Sequence, residues 1–142
     1  MNDVSIFRLN LLRAMYLLVV VGLGLMVLPG VFTKSQSWGL QQGVINCMLM
    51  AFWLLCAVGL RYPLHMLPIL LWELVWKSAW LAIVALPKYV AGTMDPPMMA
   101  NAIEILAVVL IPFVIPWGYV GAHYFGKRAD PWRTPARKAS AA

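Results

Sequence analysis

Four apolar stretches divide the chain, each bounded by charged residues, proline or glycine. About 20 helical residues at 1.5 Å rise cover a ~30 Å hydrocarbon core, so the pattern predicts helices that cross a bilayer. The first stretch runs from Leu11 to Leu28 and stops at Pro29-Gly30. The second runs from Gly43 to Leu60 and stops at Arg61-Tyr62-Pro63. The third spans Leu64 to Leu86, with Pro68 tolerated in its first turn and Pro87 closing it. A short loop carrying Asp95-Pro96-Pro97 leads to the fourth, from Ala100 to Phe125. Residues 1–126 are therefore expected to form one all-α domain, an integral membrane four-helix bundle with short loops. Residues 127–142 read as a basic, disordered cytoplasmic tail, since Pro131 and Pro135 oppose a long helix there.

Composition supports a membrane protein over a soluble one. Of the 142 residues, 63% are hydrophobic and 11% charged, with a mean hydropathy of +0.80, whereas soluble domains are about 45–50% apolar and about 25% charged. Arg8 and Arg13 ahead of an apolar run resemble the start of a signal peptide. No Ala-x-Ala-like site follows, and three further spans need a first one to pair with, so the segment reads as a retained helix. The net charge of +6 is not a nucleic-acid signature here. The basic tail adjoins a membrane helix, so anionic lipid headgroups are its expected partner.

Lys and Arg also give an orientation. Arg8, Arg13, Arg61, Lys127, Arg128, Arg133, Arg137 and Lys138 fall on one side of the four spans, and Lys34 and Lys88 on the other. The positive-inside rule then places both termini in the cytoplasm, and the strong bias opposes dual topology.

Charge inside the third stretch is the strongest candidate chemistry. Glu73 and Lys77 lie four residues apart around its centre near Val75, where each costs roughly 2.5–3.5 kcal/mol on the insertion scale. The eleven Leu, Ile and Val residues of the stretch return only ~3–6 kcal/mol, so the helix alone is marginal. Trp72, Trp76 and Trp80 follow an i, i+4, i+8 row beside the charges. Trp76 sits at the midplane, where an interfacial aromatic belt does not explain it. Lys77 is within reach of Glu73 and of the face of Trp80. Three roles compete: a self-neutralising packing pair, a ligand or ion site, and an oligomer contact.

Near the outer ends of the second and fourth spans the sequence offers Asn46, Asn101 and Glu104 at similar depth, with Glu104 about 7 Å further out than Lys77. Pro112 and Pro116 leave carbonyls of the fourth span without their helical donors. Glu104, Val108 and Pro112 share one helical row, an arrangement by which broken helices build polar pockets. Lys77 is expected to be able to bend toward Glu104. The candidate buried polar site is thus Glu73, Lys77, Glu104, Asn46, Trp76 and Trp80. Two small-residue rows, Gly43-Cys47-Ala51 and Gly118-Ala122-Gly126, mark close packing.

Other chemistry is weakly supported. Cys47 and Cys56 lie nine residues apart in one helix, about 13–14 Å at 1.5 Å per residue, too far for a disulfide, and read as packing residues. His65 and His123 at helix ends suit a bis-His site, though interfacial histidines without ligands are far commoner. Met94, Met98 and Met99 crowd a loop where Cu(I) would want more ligands. No phosphate loop, catalytic triad or His-Glu-x-x-His pair occurs. The expectation is no metal, no cofactor and no enzyme activity.

The residues Leu60-Arg61-Tyr62-Pro63, Leu67-Pro68, Leu71-Trp72-Glu73-Leu74, Trp76-Lys77 and Ile115-Pro116-Trp117 together resemble a group of small four-span proteins of the bacterial inner membrane. That resemblance implies a bacterial inner membrane and a four-helix architecture, and it imports no activity. The sequence reading is therefore a non-enzymatic accessory or ligand-sensing membrane subunit, partnered by lipid and by another membrane protein or itself. The alternative is a small proton-coupled transporter acting as an oligomer. An enzyme acting on lipid or quinone ranks third.

Overall fold

Ser5 starts the first helix by accepting a hydrogen bond from the Arg8 backbone N–H at 3.3 Å, which fills one of the orphan donors of a helix start. The computed structural model describes residues 4–128. From this cap α1 runs Ile6–Lys34, well past Pro29, where the sequence pattern ended it. Pro29 removes one helical donor, a loss that helices in a membrane tolerate when nearby groups re-satisfy the backbone. The carbonyl left without its helical donor is that of Leu25, and one turn further on the Thr33 hydroxyl donates to the Pro29 carbonyl itself at 2.6 Å. A short 3-10 turn, Ser35–Ser37, leads to α2, Leu40–Arg61. It stops where Pro63 forces the preceding Tyr62 out of helical geometry, at φ −123° and ψ 66°.

The third helix, α3 (Leu67–Val90), begins one turn later than Leu64, because residues 63–66 form the connecting turn. Pro68 sits in its first turn as expected. Pro87 does not close it. A π turn over Leu81–Ala85 widens the helix just before the proline, and one further α-helical turn follows, Leu86–Val90. The stop comes from Gly92, at φ +66°. Its N–H donates to the Tyr89 carbonyl at 3.1 Å while the Thr93 N–H donates to Lys88 at 3.0 Å. This paired closure needs a left-handed residue, which glycine supplies without steric cost.

The loop tripeptide Asp95-Pro96-Pro97 proves to be a helix start. Asp95 Oδ1 accepts from the Met98 N–H at 2.9 Å, and Pro96 opens α4 (Pro96–Val114). The expected single span to Phe125 is broken: Ile115 is extended at ψ 127° ahead of Pro116. A short α5 (Trp117–Val120) and a π turn, Gly121–Phe125, follow. Four helices, α1 to α4, are long and apolar enough to cross a membrane, so the chain is an all-α, multi-pass membrane protein.

The shared core lies in one half of the bundle. Leu12, Tyr16, Cys56, Leu67, Leu70 and Ile115 are fully buried in a single cluster, all from the end where the start of α1, the 62–66 turn and the end of α4 gather. Elsewhere packing runs chiefly within two hairpins, α1 with α2 and α3 with α4. Leu25, Val75, Ile83, Ile103 and Phe113 stay exposed on the outer faces, as expected where the solvent is hydrocarbon. Helix association there depends on close packing and hydrogen bonds. Those contacts join α1 to α2: Trp53 Nε1 donates to the Val20 carbonyl at 2.8 Å over Gly24, and Tyr16 lies flat on Gly59 while its hydroxyl donates to the Pro63 carbonyl at 3.1 Å. The small-residue rows expected to pack do not pack here. Cys47, Ala51, Gly118, Ala122 and Gly126 are exposed, and a methyl group added at Gly118 would meet nothing within 4 Å. Both cysteines are free, Cys56 buried and Cys47 exposed.

Candidate functional site

One turn beyond Leu70, at the edge of the core, the inward face of α3 carries Glu73. It is 5% exposed and the only buried charged residue among those described. Its two carboxylate oxygens are taken separately. Lys77 Nζ approaches Oε1 at 2.5 Å, and the Trp76 indole N–H donates to Oε2 at 2.8 Å. The i, i+3 and i, i+4 spacings of one helix make both contacts possible without any second element. The carboxylate is thereby fixed by one charged and one neutral donor, the pairing a buried ion requires.

Trp76 at mid-helix depth is thus explained by a hydrogen bond. Its neighbours extend the array: Trp72 tilts against Trp76 at 6.0 Å between ring centroids, and Phe52 of α2 meets Trp72 at 5.7 Å. The Lys77 ammonium lies 5.6 Å from the centroid of Trp76. The sequence pointed to Trp80 instead, but the lysine turns back toward Glu73, and Trp76 lies on that side. Trp80 is half-buried and, among the described residues, makes no aromatic or hydrogen-bonded contact with the pair.

Lys77 is the exposed end of the cluster, with 20% of its side chain uncovered against 7% for Glu73. The midpoint of Leu67–Val90 falls about 2 Å along the axis from Lys77 and about 8 Å from Glu73 at 1.5 Å per residue. An ammonium has three donors. Among the described residues only Glu73 accepts from it.

The remaining candidates stand apart. Glu104 is exposed on α4 and makes no ion pair or hydrogen bond among the described residues, so Lys77 does not bend toward it. Asn46 is half-buried on α2, where its side-chain oxygen accepts from Gln42 Nε2 at 3.1 Å. The open carbonyls expected on α4 are paired. A 3-10 turn over Leu106–Leu110 brings the Ile111 N–H to the Val108 carbonyl, and the Trp117 indole donates to the Pro112 carbonyl at 2.8 Å. The polar row of Glu104, Val108 and Pro112 therefore does not form a pocket.

One contact was not read from the sequence. Arg8 donates to the Ile115 carbonyl at 3.1 Å, tying the start of α1 to the break in α4. Pro116 signalled a break, yet nothing in the pattern said which of several basic residues would meet it. His65 lies edge-on to Tyr62, and His123 stacks on Tyr119 at 4.9 Å. Among the described residues no three His, Cys, Asp or Glu side chains gather as a metal site. The basic tail lies almost wholly outside the described residues.

Comparison with known proteins finds no matching family model, no matching curated protein and no matching solved structure. The likeness to bacterial inner-membrane proteins stays a resemblance, and the conclusion that stands is a small multi-span membrane protein with a buried Glu73–Lys77 pair in its third helix.

Proposed function

We propose that the chain is a non-enzymatic subunit of the bacterial inner membrane, both termini cytoplasmic, and that it recognises a partner or ligand within the bilayer through Glu73, Trp76 and Lys77. The observation that carries this reading is the Lys77 ammonium, partly uncovered near the midpoint of α3 with a single acceptor. Hydrocarbon offers no water for its other donors, so a carbonyl, amide or carboxylate from elsewhere completes the group. Glu73 has both oxygens engaged and is 5% exposed, which weighs against a carboxylate that must open to exchange protons with substrate.

The test compares wild type with Lys77→Met after purification in mild detergent, read by native mass spectrometry. Wild type should retain a membrane protein or small acceptor-bearing ligand that Lys77→Met loses, and that the stably accumulating Glu73→Gln/Lys77→Met loses as well. Equal retention by both proteins would refute a recognition role for Lys77. Proton flux in wild-type vesicles that disappears in Glu73→Gln would favour the transporter instead.

A further inference from the structure

A separate feature lies on the other side of α3. Between α3 and α4 runs an apolar groove of about 730 Å³, within the usual 300–1,000 Å³ of ligand pockets. Its depth comes from small side chains at the helix contact, Ala82 and Ala85 on α3 and Ala102 on α4, while Leu86, Ile103 and Phe113 stand at its rims. Both walls depart from α-helical geometry there, with the π turn Leu81–Ala85 facing the 3-10 turn Leu106–Leu110.

We propose that this groove holds one acyl chain of a phospholipid, with Lys88 binding the phosphate at its mouth. On α3 it extends from Leu74 to Tyr89, about 22 Å at 1.5 Å per residue. That takes it from the membrane surface through one leaflet and past the centre of a ~30 Å hydrocarbon core. Its walls are apolar but for the Ser78 and Tyr89 hydroxyls, and a lining of that kind running from headgroup depth into the hydrocarbon core suits an acyl chain. Lys88 adjoins Tyr89 at the open end, is exposed, and makes no ion pair among the described residues. Its flexible stem places the charge at headgroup level. The proposal does not depend on Lys77.

Photolabelling tests it, using the full chain in vesicles that contain a phosphatidylglycerol with a diazirine on one acyl chain. Labelling should fall on peptides 74–89 and 102–113, saturate, and be displaced by unlabelled lipid. Ala82→Trp, which fills the groove, should reduce it about tenfold. Lys88→Gln should reduce it several-fold, and Ala51→Trp on the exposed face of α2 should leave it unchanged. Labelling spread evenly over the four helices, or not displaced by unlabelled lipid in wild type, overturns the proposal without needing any variant to fold. Chain-to-chain cross-links from Ala82 overturn it in favour of a second copy.

Discussion

Glu73 takes one hydrogen bond from a charged donor and one from a neutral donor, all within a single turn of α3. A group of this kind is costly to disturb from one side only. Glu73→Gln leaves an ammonium near the helix midpoint without its counter-ion, and Lys77→Met leaves a buried carboxylate with only an indole N–H. Losing one partner of a buried pair typically costs about 3–5 kcal/mol, whereas apolar replacement of both is often neutral or stabilising. A lone group can shed its charge, which limits the loss without erasing it. Each single substitution should therefore lower the folded fraction in membranes, while Glu73→Gln/Lys77→Met accumulates at least as well as wild type. Unfolding in detergent measures the three against one another. Additive losses in the double variant would mean that the two charges are not coupled.

At the scale of elements, α1 and α2 are locked where side chains had to be small. A methyl group added at Gly59 would fall 2.7 Å from the Tyr16 ring, and that ring is anchored by its hydroxyl to Pro63. Overpacking of this kind costs about 1–3 kcal/mol. Gly59→Ala should accordingly lower the midpoint of thermal unfolding followed by circular dichroism, whereas Gly118→Ala should leave it unchanged or raise it slightly. An equal response at both positions would show that the α1–α2 contact is looser than described. Glycine spacing alone did not separate these cases. Gly118 belongs to a small-residue row, and Gly59 became important only because α1 brings Tyr16 opposite it.

For the whole molecule, the core gathers where both described chain ends lie, and the bundle is extended from it by two hairpins. Among the described residues Arg8, Arg13, Arg61, Lys127 and Arg128 belong to that side of the spans and Lys34 and Lys88 to the other. Reporter fusions at Ala142 and in the loop around Gly92 decide the orientation. Alkaline phosphatase should be active in the loop and inactive at Ala142. Activity at Ala142 would invert the topology and place the mouth of the α3–α4 groove in the opposite leaflet.

Four membrane helices and the Glu73–Lys77 contact were legible in the sequence, because both depend on local periodicity. Apolar runs of bilayer length specify the spans, and i, i+4 spacing places the two side chains on one helix face whatever surrounds them. Helix ends were less legible, since a proline stops a helix only where the backbone cannot adjust. Pro29 and Pro87 are carried inside helices, and Pro116 marks a break whose freed carbonyl is taken by Trp117. The exposure of Glu104, the Trp53 bond to Val20 and the Arg8 bond to Ile115 depend on how helices distant in sequence approach and turn. No periodicity encodes that approach. Local spacing determined which residues share a helix, and only the packing of helix against helix decided which of them meet.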